Sequence, residues 1–493
     1  MSRPAPSGSF PVPPAVAAVA RTLAQAGHEA YFVGGCVRDL LIGREPKDWD
    51  VTTNADPAQI QALFPDSFYE NDFGTVGVKT GSGDPTTEIV EVTPYRTESG
   101  YSDKRRPDAV AFGHSLEEDL ARRDFTINAI AMDVKGHIVD PYKGQKDIET
   151  KVIRAVGDPL IRFEEDALRL MRAVRLVAQL GFALDSETAA AIQQKAANLS
   201  HISRERVRDE LIRILESQQP MTALVLAQQL GILAFIAPDL SRGVGVEQNQ
   251  AHSYDVFGHL MRSMQHAADK GWDFDIRLAA LFHDVSKPET RRWSDEKKDW
   301  TFHGHEVVGS RVTKKALEDL HFSRETIERV VKLVRWHMFF SDPDQVTLSA
   351  VRRVITNVGK ENIDDLLKLR ICDRIGTGRP KEQPFRLRKY MAMVDQALRD
   401  PISVGMLKTN GSQIMEKFHV QPGPVIGWTL NALLEEVLDD PKRNTPDYLD
   451  NRTAELLAMP PEELRTLGES GKQKREERED QEVREIMEKH HVC

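Results

Sequence analysis

Near residue 156 the hydrophobic period of this chain changes, and that change bounds its architecture more tightly than any other feature. Before it, short apolar runs alternate with polar turns: Tyr31–Val33, Val51–Thr53, Thr75–Lys79, Glu88–Pro94, Ile127–Val134 and Ile138–Val139. That spacing predicts the strands of a small mixed sheet with helices between them. From Arg162 onward the pattern becomes helical. In DALRLMRAVRLVAQLGF, Leu168, Met171, Val174, Leu176 and Leu180 make a broad apolar stripe that stops at Gly181. The expected fold class is therefore α+β, a small sheet-bearing head followed by an almost entirely helical remainder. With 493 residues the chain is too long for one core, and about three domains are expected.

Glycine and proline concentrate near 157–159, 217–220, 241–245 and 376–384, which marks these as boundaries. The N-terminal MSRPAPSGSFPVPP is broken by proline and lacks the apolar stretch of a secretory signal, so a loose arm before a helix near Pro14 is expected. No apolar run approaches the ~20 residues a membrane helix needs, and cytoplasmic residence without a membrane partner follows as the expectation. Cys36, Cys372 and Cys493 lie too far apart to form a disulfide framework or a zinc pattern. From Ser470 the chain is nearly all charge, compatible with an exposed helix or a disordered tail.

The segment Phe32 to Thr53, FVGGCVRDLLIGREPKDWDVTT, carries the first chemistry. Gly34 and Gly35 end an apolar run where bare backbone N–H groups can approach a phosphate, and Arg38 adds a charged fork. Asp48 and Asp50 open a strand-like stretch whose period of two sets both carboxylates on one face. Hard oxygens aimed together suit Mg²⁺, two of which activate an attacking hydroxyl and stabilise leaving pyrophosphate. An Asp-x-Asp pair alone is more often a surface turn; the glycines and the arginine at this spacing favour the triphosphate site. Glu91, in EIVEV, is a weaker third carboxylate.

GGCVRDLLIGREPKDWDVTT resembles the signature of bacterial class II tRNA nucleotidyltransferases, the CCA-adding family, which bacterial poly(A) polymerases share. The resemblance implies that Asp48 and Asp50 are the catalytic metal ligands, with Gly34, Gly35 and Arg38 near the triphosphate. It also implies that Arg123 and Asp124, in DLARRDFTINAIAM, position the ribose hydroxyls while Asn128 supports the turn; without it, an ion-paired step into a core strand is an equal reading. In RFEEDALRLMRAVR, Glu165 and Asp166 precede Arg169 on what reads as one helix, and a Glu165–Arg169 salt bridge alone would explain the spacing. The family instead uses such an EDxxR pattern as a protein template for the incoming base. Cytosine and adenine each pair an amino donor with a ring-nitrogen acceptor, so Asp166 accepting and Arg169 donating would select them. Arg172 and Arg175 continue toward phosphates or carboxylates.

DPYKGQKD, residues 140–147, resembles the family's hinge, ISRERVRDEL, residues 202–211, its neck-supporting motif, and residues 95–112 its flexible loop, which favours full CCA or A addition. Both of the first two also read blandly, as a turn and as a helix with Ser203 as its N-cap. A net charge of −10 restricts RNA contact to local patches, Arg96–Arg106 and the arginines from Arg162 to Arg175, although charge runs are more often solvated faces.

A second constellation, His259, His283, Asp284, His305, His337 and Asp373, is centred on RLAALFHDVSKP and resembles the HD phosphohydrolase signature. Imidazoles with carboxylates suit Mn²⁺, Ni²⁺, Fe²⁺ or Zn²⁺ and generation of hydroxide against a phosphate ester. Lys287 is placed to meet phosphate charge, and His303 competes with His305. A lone HD pair would be structural. The expected layout is an arm and first helix over 1–27, a nucleotidyltransferase head over 28–156, a helical neck over 157–240, an HD domain over 241–376, a C-terminal helical body over 377–469 and the charged tail over 470–493. The expected function is template-independent addition of C and A from CTP and ATP to the tRNA 3′ end, Mg²⁺-dependent, with an HD phosphohydrolase activity beside it. The rivals are a bacterial-type poly(A) polymerase and an HD phosphohydrolase with a regulatory nucleotide-binding head.

Overall fold

The computed structural model describes residues 10–69, 74–99, 109–112, 115–250, 252–339, 346–399 and 404–491. The basic cluster at 104–106 and half of the flexible-loop stretch lie outside them. The chain forms two compact units, Met1–His337 with Lys368–Pro380, and Met338–Leu367 with Lys381–Cys493.

The first unit opens with a helix over Pro14–Gln25, proline supplying its first turn. Nine short strands follow: β1 Ala30–Val33, β2 Trp49–Thr53, β3 Ser67–Tyr69, β4 Val76–Lys79, β5 Ile89–Pro94, β6 Arg96–Ser99, β7 Ala109–Phe112, β8 Ala131–Met132 and β9 Ile138–Val139. Seven of them make one sheet in the order β3-β4-β5-β2-β1-β8-β9, while β6 and β7 form a separate antiparallel ribbon. Within the seven-stranded sheet β2 runs parallel to β5 and every other pair is antiparallel. Val51, Val90, Val92 and Phe32 face Val16, Val19 and Leu23 of the first helix in one buried core.

The strand expected over Ile127–Val134 is shorter. Thr126–Asn128 is a 3-10 turn, and only Ala131–Met132 pairs in the sheet. Side chains compete successfully with the ladder here: Thr126 Oγ1 donates to buried Asp147 (2.7 Å) and Asn128 Nδ2 to Asp124 (3.2 Å). The 140–147 stretch is itself closed by hydrogen bonds, Asp140 accepting from the Gly144 and Gln145 amides.

Helices Pro159–Glu165, Leu168–Leu180 and Arg204–Leu215 follow the sheet, and Gly181, at φ 69°, ends the second as its pattern predicts. Ser203 stands at the N-cap of the third without a side-chain capping bond. In the second unit the charged stretch after Ser470 is the continuation of a helix over Pro461–Lys489. Gly468 and Gly471 let it approach helix Pro424–Asp439, since a Cβ on Gly468 would lie 2.6 Å from Cα of Trp428. No helix among the described residues is long and apolar enough to cross a membrane.

A Cβ on Gly144 would meet the Thr126 carbonyl oxygen at 2.2 Å and Ile130 Cγ1 at 2.8 Å, both immobile neighbours. Gly144→Ala is therefore expected to cost about 1–3 kcal/mol of stability, read as a lowered midpoint in urea unfolding of the full chain.

Candidate active site and metal centre

β1 delivers the chain to Gly34, whose φ of 82° and ψ of −134° turn it directly into helix Gly35–Leu41. A side chain there would be strained by the positive φ and would crowd its neighbours. A Cβ on Gly34 would stand 3.0 Å from Arg123 Nη1 and 3.5 Å from Asp50 Oδ2. Glycine thus keeps open a point onto which an arginine and an acid, 73 residues apart in sequence, converge. Asp50 lies half-buried in β2; Asp48 sits in the exposed bend just ahead of it, since the strand begins at Trp49. Glu91 of β5 is in register with Asp50 across the parallel pair, so their side chains share one face of the sheet. Arg38 is committed to neighbours: Nε and Nη2 reach Asp39 (2.9 and 2.8 Å) and Nη1 donates to Asn128 Oδ1 (2.8 Å).

Asn128 connects onward to Asp124, a buried carboxylate that gathers the site. Asp124 Oδ1 accepts from the Phe125 amide (2.8 Å) and Asn128, and Oδ2 pairs with Arg172 Nη2 at 2.8 Å. Burial works to raise its pKa, but the Arg172 charge, with Asn128 and Arg169, holds it below the usual carboxylate range. Arg123 Nη2 lies 3.3 Å from Asp119, and Arg122 lies 2.5 Å from the same buried acid. Asp119 went unmarked in the sequence because an acid in the first turn of helix Leu116–Ala121 looks like an ordinary dipole partner.

Glu165, Asp166 and Arg169 do not share one helix. The first helix ends at Glu165, Asp166 is extended (φ −139°, ψ 106°), and Arg169 belongs to the next helix, Leu168–Leu180. The break is chemical: Asp166 Oδ1 accepts from the Leu168 amide (3.0 Å), trading a helical bond for a cap. Arg206 Nη2 holds its Oδ2 at 3.1 Å. Arg169, buried, bonds Glu165 (2.6 Å) and the Arg162 and Arg122 carbonyls (2.9 Å each). Arg175 pairs with buried Glu210 at 3.2 Å. Glu210 sat unmarked within the neck motif, where Arg206 reads only as following the Ser203 cap.

All six residues of the second constellation converge in the first unit. His259 Nε2 lies 2.9 Å from His283 Nε2, 3.0 Å from Asp284 Oδ2 and 3.5 Å from Asp373 Oδ1. His305 and His337 Nε2 lie 3.1 and 3.4 Å from Asp284 Oδ1. His305 is buried at the cluster whereas His303 is exposed, which separates the two candidates. Backbone carbonyls of Ala280, Phe302 and Val334 accept from Nδ1 of His283, His305 and His337 (2.9, 2.6 and 2.7 Å), leaving each Nε2 lone pair for a ligand. Two donor groups result, His252 with His259, Asp284 and Asp373, and Asp284 with His305 and His337, so Asp284 is common to both.

His252 was missed; a histidine in a polar turn carries no pattern. Its Nδ1 contacts Asn249 Oδ1 (2.6 Å), and burial with the Lys287 charge nearby lowers its pKa to about 3. Burial opposes charge on His283 too, but Asp284 and Asp373 push it up to about 10: two carboxylates call for a cation at that nitrogen. Lys287 is buried against Asp284 (2.6 Å) and Gln248 (2.7 Å) rather than open to solvent. The donor set, imidazole and carboxylate, fits divalent transition ions.

A family model described as the poly A polymerase head domain matches residues 30–154, the probable RNA and SrmB-binding site of polymerase A matches 181–243, and the HD domain matches 256–376. A CCA-adding enzyme of Lactobacillus helveticus (strain DPC 4571) is 34% identical over 440 residues, 89% of this chain and 96% of the relative. One of Geobacillus thermodenitrificans (strain NG80-2) is 34% identical over 435 residues, 87% and 94% of the two chains. The crystal structure of the Bacillus stearothermophilus CCA-adding enzyme in complex with CTP is similar with a TM-score of 0.57 at 29% identity, over 90% of this chain and 99% of that one.

Because the folded pKa of Asp124 is depressed, its contribution to stability is complete above the unfolded value of about 3.9 and is lost as pH falls below that. Asp124→Asn is expected to lower stability by about 2 kcal/mol at pH 7, leaving Arg172 without its counter-charge. The gap between the two proteins should narrow as urea unfolding is repeated from pH 5 down to pH 3.

Proposed function

The chain belongs to the CCA-adding enzyme family, and we propose that the side chains converging on Gly34 carry its transfer of C and A from CTP and ATP to the tRNA 3′ end. The observation that carries this assignment is the approach of Asp50 and Arg123 to one side-chain-free turn. The tRNA 3′-hydroxyl oxygen bonds to the α-phosphorus, the bond to the β-phosphate oxygen breaks, and pyrophosphate leaves. Asp48 and Asp50, with Glu91 in register, offer the hard oxygens that Mg²⁺ takes. Mg²⁺ held there supplies triphosphate neutralisation and a more acidic attacking hydroxyl. Gly34 and Gly35 leave backbone close to the phosphates, and Arg38 fixes Asn128 beneath them.

Arg123 and Asp124 read the sugar. A carboxylate has about four acceptor positions; Asp124 Oδ1 uses two on Phe125 and Asn128, and Oδ2, ion-paired with Arg172, keeps room for a ribose hydroxyl. Asp166 spends two, on the Leu168 amide and Arg206, so it can also accept a base amino group. Arg169 keeps N–H donors beyond the three that hold it, enough to serve the acceptors of cytosine or adenine. Arg172 and Arg175 hold Asp124 and Glu210 in place. A C-and-A reader on a chain of this family favours CCA addition over poly(A) synthesis.

The test supplies tRNA lacking one, two or three terminal nucleotides with CTP, ATP or both, and sequences the products. Restoration of CCA is expected, whereas A addition alone to tRNA ending in CC would overturn C incorporation. Asp48→Ala with Asp50→Ala should abolish incorporation. Arg169→Ala should cut the preference for CTP over UTP by about 10- to 100-fold, the worth of one or two lost hydrogen bonds.

The Asp284-centred cluster favours a second activity, a phosphohydrolase using Mn²⁺, Ni²⁺, Fe²⁺ or Zn²⁺. His283→Ala with Asp284→Ala should lose transition metal by elemental analysis of the purified protein and retain CCA addition. Loss of both properties would speak against two separate sites.

A further inference from the structure

Asp50 and Glu91 belong to a row of residues that crosses the sheet. Asp50 of β2 is in register with Glu91 of β5, Glu91 with Gly77 of β4, and Gly77 with Phe68 of β3. Residues directly opposite one another share a face, so the row carries two carboxylates, a bare glycine and an aromatic ring on one surface. The glycine decides where the ring goes. A Cβ on Gly77 would meet Phe68 Cζ at 2.6 Å, Cε1 at 2.9 Å and Cε2 at 3.0 Å, so the tip of the ring takes the place of the missing side chain and reaches from β3 onto β4. Opposite residues hold their Cβ atoms about 5 Å apart, which sets the ring tip roughly one strand from Glu91 and two from Asp50. Lys79, two residues along β4 on the same face, holds its Nζ 5.9 Å from the ring centroid. Phe68 is 37% exposed.

A ring laid over a strand glycine is a packing device, and one exposed phenylalanine is ordinary. The order of the strands gives this one a direction. The Gly34 turn, with Arg123 against it, follows β1 on one side of β2, whereas Gly77, Lys79 and Phe68 lie beyond β5 on the other. Transfer brings two reactants to the acids, and the triphosphate groups take the β1 side. The primer is left the side that carries the ring.

We propose that Phe68 is the stacking platform for the last base of the tRNA primer, and that Lys79 meets the phosphate behind that base. The proposal rests on the reading of Asp48 and Asp50 as the acids of nucleotide transfer. The base lies on the exposed ring, and its 3′-hydroxyl enters the acids from the side opposite the triphosphate. Stacking needs only a π-face and accepts every base, which suits a primer whose last nucleotide changes with each addition.

The test is steady-state addition of C by the full chain to tRNA lacking CCA. Phe68→Ala should raise KM for that tRNA by about 5- to 100-fold, at little change in kcat or in KM for CTP. Phe68→Tyr should keep the original KM and Phe68→Leu should not, because leucine covers Gly77 but has no π-face. An unchanged KM in Phe68→Ala, or equal retention by leucine and tyrosine, would reduce Phe68 to packing and overturn the platform. Lys79→Gln should weaken the salt dependence of KM for tRNA, and an unchanged dependence would overturn the phosphate contact. No addition by the unaltered protein would remove the transfer reading itself. The platform is then decided by photo-cross-linking a tRNA that lacks CCA and ends in 4-thiouridine: attachment at Phe68 or on β4 supports it, and attachment only elsewhere refutes it.

Discussion

Asp124 is a buried acid that three different parts of the first candidate site lean on. Through Asn128 it reaches Arg38 and the glycine turn; through Arg172 it reaches the helix that carries Arg169; its own neighbour Arg123 stands over Gly34. Burying a carboxylate is expensive unless its charge is met, and here an amide N–H and a side-chain amide bond Oδ1 while the Arg172 charge stands against Oδ2. Such a pair contributes little net stability compared with apolar packing, yet removing one partner strands the other. Its use is therefore geometric: sheet and helices cannot shift against each other without exposing an uncompensated charge.

Much of this was readable in the chain because chemistry and period coincided. The glycine pair, the switch to helical spacing and the stop at Gly181 obey backbone rules that tertiary structure rarely overrides. What was hidden depended on side chains forming bonds that no period announces. Asp166 caps rather than continues a helix, so the expected single helix divides; Thr126 and Asn128 divert a would-be strand in the same way. Arg206 and Glu210 gain meaning only from partners distant in sequence. His252 is the extreme case, seven residues before His259 and recognisable only once both face Asp284.

The metal centre follows a different economy. Three of its histidines, His283, His305 and His337, are aimed by backbone carbonyls at helix ends, which sets the tautomer of each. Since Asp284 serves both donor groups, occupancy of one must alter the charge felt by the other, and the two positions would titrate with metal as a linked pair.

The register of Asp50 with Glu91 has a consequence for how the protein comes into being. These acids meet across the parallel pair of the sheet, and a parallel pair cannot be closed by a tight turn: β3 and β4 must be laid down between them first. The acidic face is accordingly a long-range product, and closing it costs loop entropy. A nascent chain halted before residue 91 would display Asp48 and Asp50 without the strand that lies in register with Asp50.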